Sequence, residues 1–201
     1  MSNDRDTIFA SIKSALEPLP ERTECPDWAD ILPVSKKMDT SVSTKELFVR
    51  QHVAASGRAC SSVDELIQLL KDEDCSFGYC DPELANLIPE DAGIQFDTDY
   101  DMAKVDEYKF GITKASTAIA ESGTIVLKDG ETSARLAALA PWIHIAVLSE
   151  VDIVSTHLEA IQQMADDPYI VFSTGPSKTA DIEGILIEGV HGPGIQVALL
   201  L

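Results

Sequence analysis

Residues 142–148, Trp-Ile-His-Ile-Ala-Val-Leu, are apolar at every position but one. Successive side chains of a strand point to opposite faces, so a run of this kind is buried on both sides and needs structure above and below it. That condition predicts a central strand of a parallel sheet. The second half of the chain repeats the signal. Apolar runs at 118–120, 124–127, 169–172, 185–187 and 195–201 read as strands, and 132–139 and 156–165 read as helices, the latter opened by Thr156 with Glu159 and using Leu158, Ile161 and Ala165. Strands alternating with helices specify an α/β domain with a mainly parallel sheet.

The first half is read from its caps. Ser43 with Glu46, and Ser62 with Glu65, are capping boxes. The first opens a helix that runs to about Ala55, with Gly57 as its stop. The second opens the clearest helix of the chain, with Val63, Leu66, Ile67 and Leu70 on one face. Residues 77–79 and 94–96 read as short strands, Pro82 to Ile88 as a short helix, and the acidic run 97–101 as a solvated loop. Residues 4–17 form an amphipathic helix on Ile8, Ile12, Ala15 and Leu16, followed by a connector at 18–41 with four prolines. The expected organisation is therefore an N-terminal helix and connector over 1–41 and an α/β domain over 42–201. An isolated helix of that length is marginal, so it is expected to dock on its own domain or on a second subunit of a homo-oligomer.

Acids outnumber bases, 34 to 15, for a net charge of −19. That balance argues against nucleic acid, where binding rests on phosphate neutralisation, and against an anionic membrane surface. No apolar run reaches the length of a membrane span and the first residues lack a signal-peptide core, so a cytoplasmic protein is expected. The cysteines Cys25, Cys60, Cys75 and Cys80 contain no C-x-x-C pair. Free thiols are expected, with no metal and no cofactor in this chain.

Three places offer chemistry. Glu121 sits between the strands at 118–120 and 124–127, beside Gly123 in a tight turn. It either bonds the turn or serves in proton transfer or nucleophilic attack. The loop from Ser173 to Thr179 follows a strand, and ligands of open α/β sheets bind beyond the carboxyl ends of strands. Its Ser173, Gly175, Ser177, Lys178 and Thr179, before a short helix at Ala180, either bind a phosphate or carboxylate or make an ordinary capped turn. His191, in His-Gly-Pro-Gly, is a general acid or base or else a turn histidine. His144 reads as a satisfied core histidine, His157 as exposed at a helix start, and His52 as uninformative. Lys114, Arg135 and Lys178 are candidate cations for an anionic ligand, with surface ion pairing as the alternative. No linear hydrolase or triad motif is present.

The segments Gly111-Ile-Thr, Ala118-Ile-Ala-Glu-Ser-Gly-Thr124, Ser173-Thr-Gly-Pro-Ser-Lys-Thr-Ala-Asp-Ile-Glu183 and Gly189-Val-His-Gly-Pro193 together resemble the signature of the LUD family, in that family's order. The resemblance covers residues 111–193 and does not extend clearly into the first hundred. It implies a three-layer α/β fold similar to that of sugar-phosphate isomerases and CoA transferases. It also implies a role in cytoplasmic oxidation of L-lactate to pyruvate, with iron–sulfur clusters in partner proteins and a small anionic substrate such as lactate. Joined to the residues above, the expectation is a cleft with Glu121, His191 and Asp181 as catalytic groups. Thr124, Ser173, Gly175, Ser177, Lys178 and Thr179 would hold the anion. Glu121 is placed like the turn-borne glutamate that attacks acyl-CoA in CoA transferases. An independent isomerase- or transferase-like enzyme and a noncatalytic assembly subunit are the rival readings.

Overall fold

The computed structural model of the chain describes residues 2–17, 41–132, 134–164, 167, 169–180 and 185–201. The chain divides into two units, Met1–Met38 and Asp39–Leu201. In the first, helix α1 (Ser2–Leu16) has Ile8, Phe9, Ile12 and Leu16 exposed. The expected connector lies, but for Ser41, outside the described residues, as does Cys25.

The second unit opens with α2 (Thr44–Ala54), β1 (Arg58–Cys60) and α3 (Val63–Asp72). Both helices start where the capping boxes place them. The Ser43 and Ser62 hydroxyls accept from the backbone N–H groups of Glu46 and Glu65, each at 3.2 Å. Strands β2 (Phe77–Cys80), β3 (Gln95–Asp97), β4 (Phe110–Lys114), β5 (Thr117–Ile119) and β6 (Thr124–Lys128) follow. Then come α4 (Arg135–Leu139), β7 (Ile143–Leu148), β8 (Ile153–Val154), α5 (His157–Gln163) and β9 (Ile170–Ser173). A hairpin of β10 (Lys178–Ala180) and β11 (Leu186–Glu188) precedes β12 (Ile195–Leu200). The short helix expected at Ala180 is thus a strand, paired antiparallel with β11.

Six strands in the order β1-β12-β7-β4-β2-β3 form a wholly parallel sheet. As the apolar run requires, β7 lies inside it with all six residues buried. One face carries Phe110, Ile112, Ile143, Ile145, Val197 and Leu199 and packs on Leu66 and Leu70 of α3. Both leucines are fully buried, which contributes about 1.5–3 kcal/mol apiece. The other face mixes polar and apolar groups, from the buried Tyr79 of β2, in register with Gly111, to Leu148 and Leu200. Gly111, His144 and Gln196 form one row across β4, β7 and β12, and Thr113 and Ala146 pair on the same face. Gly111 is needed there because a Cβ at that position would lie 1.9 Å from the Ala137 carbonyl oxygen of α4.

The chain between β4 and β7, and again between β7 and β12, builds a second sheet in the order β8-β5-β6-β9. Here β5 and β9 both run antiparallel to β6. The strand expected at 169–172 is present as β9, and it joins this antiparallel sheet and not the parallel one. Apolarity identifies a strand but not the sheet it joins. Alternation divides the second sheet into two faces. Ile119 and Val126 pack on Ala160 and Met164 at the end of α5. Ala118, Ile125 and Leu127 point the opposite way and are equally buried. Helix α5 buries Ala160 and leaves Leu158 and Ile161 exposed, contrary to the expected face.

Candidate functional site

The loop after β9 and the residues before β12 enclose a cleft of about 260 Å³. Ser173, Thr174, Gly175, Ser177 and His191 line it, with Leu127 and Val171 of the second sheet and His144 of β7. The backbone holds its walls together: Ser177 N–H donates to Pro193 O and Gly189 N–H to Ser177 O, both at 2.9 Å. The cleft lies at the amino ends of the parallel strands. His144 is the second residue of β7, and His191 and Pro193 precede β12. The carboxyl-end rule does not apply, because β9 lies outside the parallel sheet and its own carboxyl end delivers the loop to the opposite edge.

Below the cleft, the Ser173 hydroxyl donates to Gln196 Oε1 at 2.9 Å, and His144 Nδ1 bonds the same oxygen at 2.9 Å. The Thr113 hydroxyl reaches His144 Nε2 at 2.8 Å. With an amide oxygen against Nδ1, the proton sits on Nδ1 and Nε2 accepts. Burial lowers the His144 pKa to about 4, with the Gln196 bond opposing the shift. The imidazole is therefore neutral at pH 7, a satisfied core histidine as its sequence position implies.

Glu121 stands elsewhere. Its Oε1 accepts from the His157 backbone N–H at 2.7 Å and from His157 Nδ1 at 2.6 Å. His157 Nε2 faces Ser122 Oγ at 3.4 Å. Ser122 Oγ is 2.7 Å from Thr124 Oγ1, which is 2.5 Å from Thr174 Oγ1. A continuous line of polar groups thus runs from Glu121 through His157, Ser122 and Thr124 to Thr174 on the cleft. The turn is fixed by Gly123, at φ +70°, whose carbonyl accepts from Nδ1 of the buried His52 at 2.8 Å. A Cβ on Gly123 would lie 2.2 Å from the His52 backbone nitrogen. His52 stacks on Phe48, burial lowers its pKa, and its Nε2 is buried with no hydrogen-bond partner among the described residues.

The expected site residues therefore separate into groups. Ser173, Gly175, Ser177 and His191 meet at the cleft. Glu121 and Thr124 belong to the polar line on the α5 side of the second sheet. Lys178 closes the end of α2, donating to Ala55 O at 3.0 Å and Ser56 Oγ at 2.8 Å. Thr179 is paired with Ile187 within the hairpin, and Asp181 lies outside the described residues. The other two cations are engaged as well. Lys114 pairs with Glu83 at 2.9 Å, while Arg135 pairs with Asp129 at 3.2 Å and lies over the Tyr169 ring. The described cysteines, Cys60, Cys75 and Cys80, are buried free thiols in the core of the parallel sheet. Desolvation raises all three pKa values, that of Cys80 to about 12. Such thiols are poor metal ligands, and no group of three or more candidate ligands occurs among the described residues.

The LUD domain model matches residues 79–201. The chain belongs to the LUD domain family. The match contains the cleft and the Glu121 line in full. Among curated relatives of this LUD protein, lactate utilization protein C of Oceanobacillus iheyensis is 38% identical over 91 residues, covering 41% of this chain and 39% of the relative. The protein of that name from Macrococcus caseolyticus is 41% identical over 91 residues, with 41% and 39% covered. That from Bacillus subtilis is 36% identical over 106 residues, with 49% and 44% covered. The matches thus span less than half the length of these relatives. A crystal structure of a DUF162 family protein from Deinococcus radiodurans superposes with a TM-score of 0.58 at 21% identity, over 80% of this chain and 99% of that one. That likeness extends the shared α/β fold across most of the LUD chain.

The sequence reading missed Ser122, His52 and the role of His157. His157 is bonded to a residue 36 positions away and His52 to one 71 away. Only the adjacency of Glu121 and Ser122 at one turn was visible beforehand.

Proposed function

We propose that this LUD protein serves L-lactate utilisation by binding a small 2-hydroxy or 2-oxo carboxylate in the cleft of Ser173, Thr174, Ser177 and His191. The observation that carries the reading is that this cleft falls wholly inside the matched LUD segment, which the relatives named for lactate utilisation share in part. Its volume of about 260 Å³ suits a three-carbon acid with a few waters, each occupying about 30 Å³. The Ser177 hydroxyl donates to the carboxylate, Ser173 and Thr174 form the polar wall beside it with their own protons held by Gln196 and Thr124, and His191 at the rim takes or returns the proton of the substrate hydroxyl. Asp181 adjoins this loop in sequence and completes the proposed set.

Oxidation of a 2-hydroxy acid to the 2-oxo acid breaks its O–H and C2–H bonds and releases two protons, one to His191 and one to water, and two electrons that need an acceptor. Iron–sulfur partner proteins in the cytoplasm take those electrons in this proposal. No helix among the described residues is long and apolar enough to cross a membrane. In the alternative CoA-transferase reading Glu121 would attack through Oε2, since Oε1 is held by two donors from His157.

Calorimetric titration of the purified protein with L-lactate, D-lactate and pyruvate tests the cleft. Saturable binding of L-lactate or pyruvate, weakened roughly tenfold or more in Ser177→Ala/His191→Ala, is expected, a loss of about 1.4 kcal/mol. Equal binding by the double variant, or none by the wild type, contradicts the assignment. Co-purification from lactate-grown cells, with iron measured in the recovered complex, tests the partners.

A further inference from the structure

The structure assigns a second chemistry to the Glu121 turn: we propose that Ser122, His157 and Glu121 form a serine nucleophile triad acting on small activated acyl compounds, esters or thioesters. A serine becomes nucleophilic when an adjacent base takes its proton and a third group orients that base. All these relationships are present. Glu121 Oε1 at 2.6 Å from His157 Nδ1 sets the tautomer, leaving the Nε2 lone pair directed outward. Ser122 Oγ lies 3.4 Å from Nε2, a loose contact of the sort that tightens when substrate binds. The backbone bond from His157 N–H to the same Oε1 fixes the carboxylate relative to the ring.

The neighbouring hydroxyls give the line a direction. With Ser122 donating to His157, Thr124 donates to Ser122 and Thr174 to Thr124, so each oxygen is polarised by the next. The contrast with the other histidine relay is informative. Thr113, His144 and Gln196 form a comparable chain, but all of them are buried and His144 has a neutral amide as its third group. His157 instead is 46% exposed and its partner is a carboxylate. Thr174, at the far end of the line, also lines the cleft.

The step balances. Ser122 Oγ attacks the acyl carbon while its proton passes to His157 Nε2. The bond to the leaving alkoxide or thiolate breaks, and His157 returns the proton to it. Water then attacks acyl-Ser122, giving its proton to His157, and the acid departs as the serine is restored. Glu121 is a positioning residue; Ser122 and His157 are the catalytic ones.

A fluorophosphonate probe reads the proposal through covalent capture, with the Oγ–P bond formed and fluoride released. Intact mass and peptide mapping should show a single adduct on Ser122 of the full chain, absent in Ser122→Ala. His157→Ala should slow labelling roughly a hundredfold. Glu121→Gln should lower the maximal rate roughly tenfold with the half-saturating probe concentration unchanged, and Glu121→Asp should restore part of that loss. Melting curves establish that each variant is folded. Wild type in urea supplies a second reading, since labelling should vanish with the fold. No adduct on the folded wild type, an adduct on another serine, labelling unaffected by His157→Ala, or labelling that persists in urea would each overturn the triad. These outcomes are independent of lactate binding in the cleft.

Discussion

Glu121 and His157, 36 residues apart, are joined twice, through the imidazole at 2.6 Å and through the backbone N–H at 2.7 Å. The pair ties the β5–β6 turn to the start of α5. It is partly solvated, with side-chain exposures of 22% and 46%, so its contribution to stability is small. Glu121→Gln should therefore lower stability by about 1 kcal/mol and preserve the fold. Urea unfolding measures this. A loss beyond about 3 kcal/mol would make Glu121 a structural keystone and leave no need for a chemical role.

Gly123 is constrained twice, by its φ of +70° and by the His52 backbone in its Cβ position. Gly93 has a similar φ of +76° but open space around it. Gly93→Ala should cost about 1 kcal/mol from the backbone alone. Gly123→Ala should cost about 3 kcal/mol or more, because backbone must move as well. Equal melting temperatures for the two variants would show that the close approach to α2 carries no weight.

His144 sets a pH dependence. Its folded-state pKa of about 4 lies below the ordinary value of 6.5, so the unfolded chain binds the extra proton first. The stability attached to the neutral ring is complete above pH 6.5 and is lost as pH falls towards 4, about 3 kcal/mol in all. His52, lowered by the same desolvation, adds to the slope in that direction. Unfolding free energies of wild type and His144→Gln, compared from pH 7.5 to 4.5, should converge as pH falls. A constant difference would contradict a neutral buried ring.

The sequence made some of this legible and hid the rest for physical reasons. The runs at 142–148 and 195–201 announce buried strands because both of their faces are apolar. Strand β4 is as central, yet Phe-Gly-Ile-Thr-Lys alternates large residues with small or polar ones, since one face meets α4 and His144. In α5 the bulky Leu158 and Ile161 drew the apolar face, while the observed contact surface is built on the small Ala160. The hydroxyl loop and His191 were recognisable as neighbours because both flank β-strands at glycine turns. Their separation from Glu121 was not, because it depends on which face of the second sheet each residue occupies. Lys178 looked like an anion ligand by its position in the loop; its capture by the end of α2 depends on contacts more than 120 residues distant.

Growth on L-lactate as sole carbon source, by a strain of the native host deleted for this gene, tests the central claim most directly. The account predicts that the deletion strain fails to grow, that the wild-type chain restores growth, and that Ser177→Ala/His191→Ala, present at equal folded levels, does not. Normal growth of the deletion strain on lactate, or full rescue by the double variant, would contradict it.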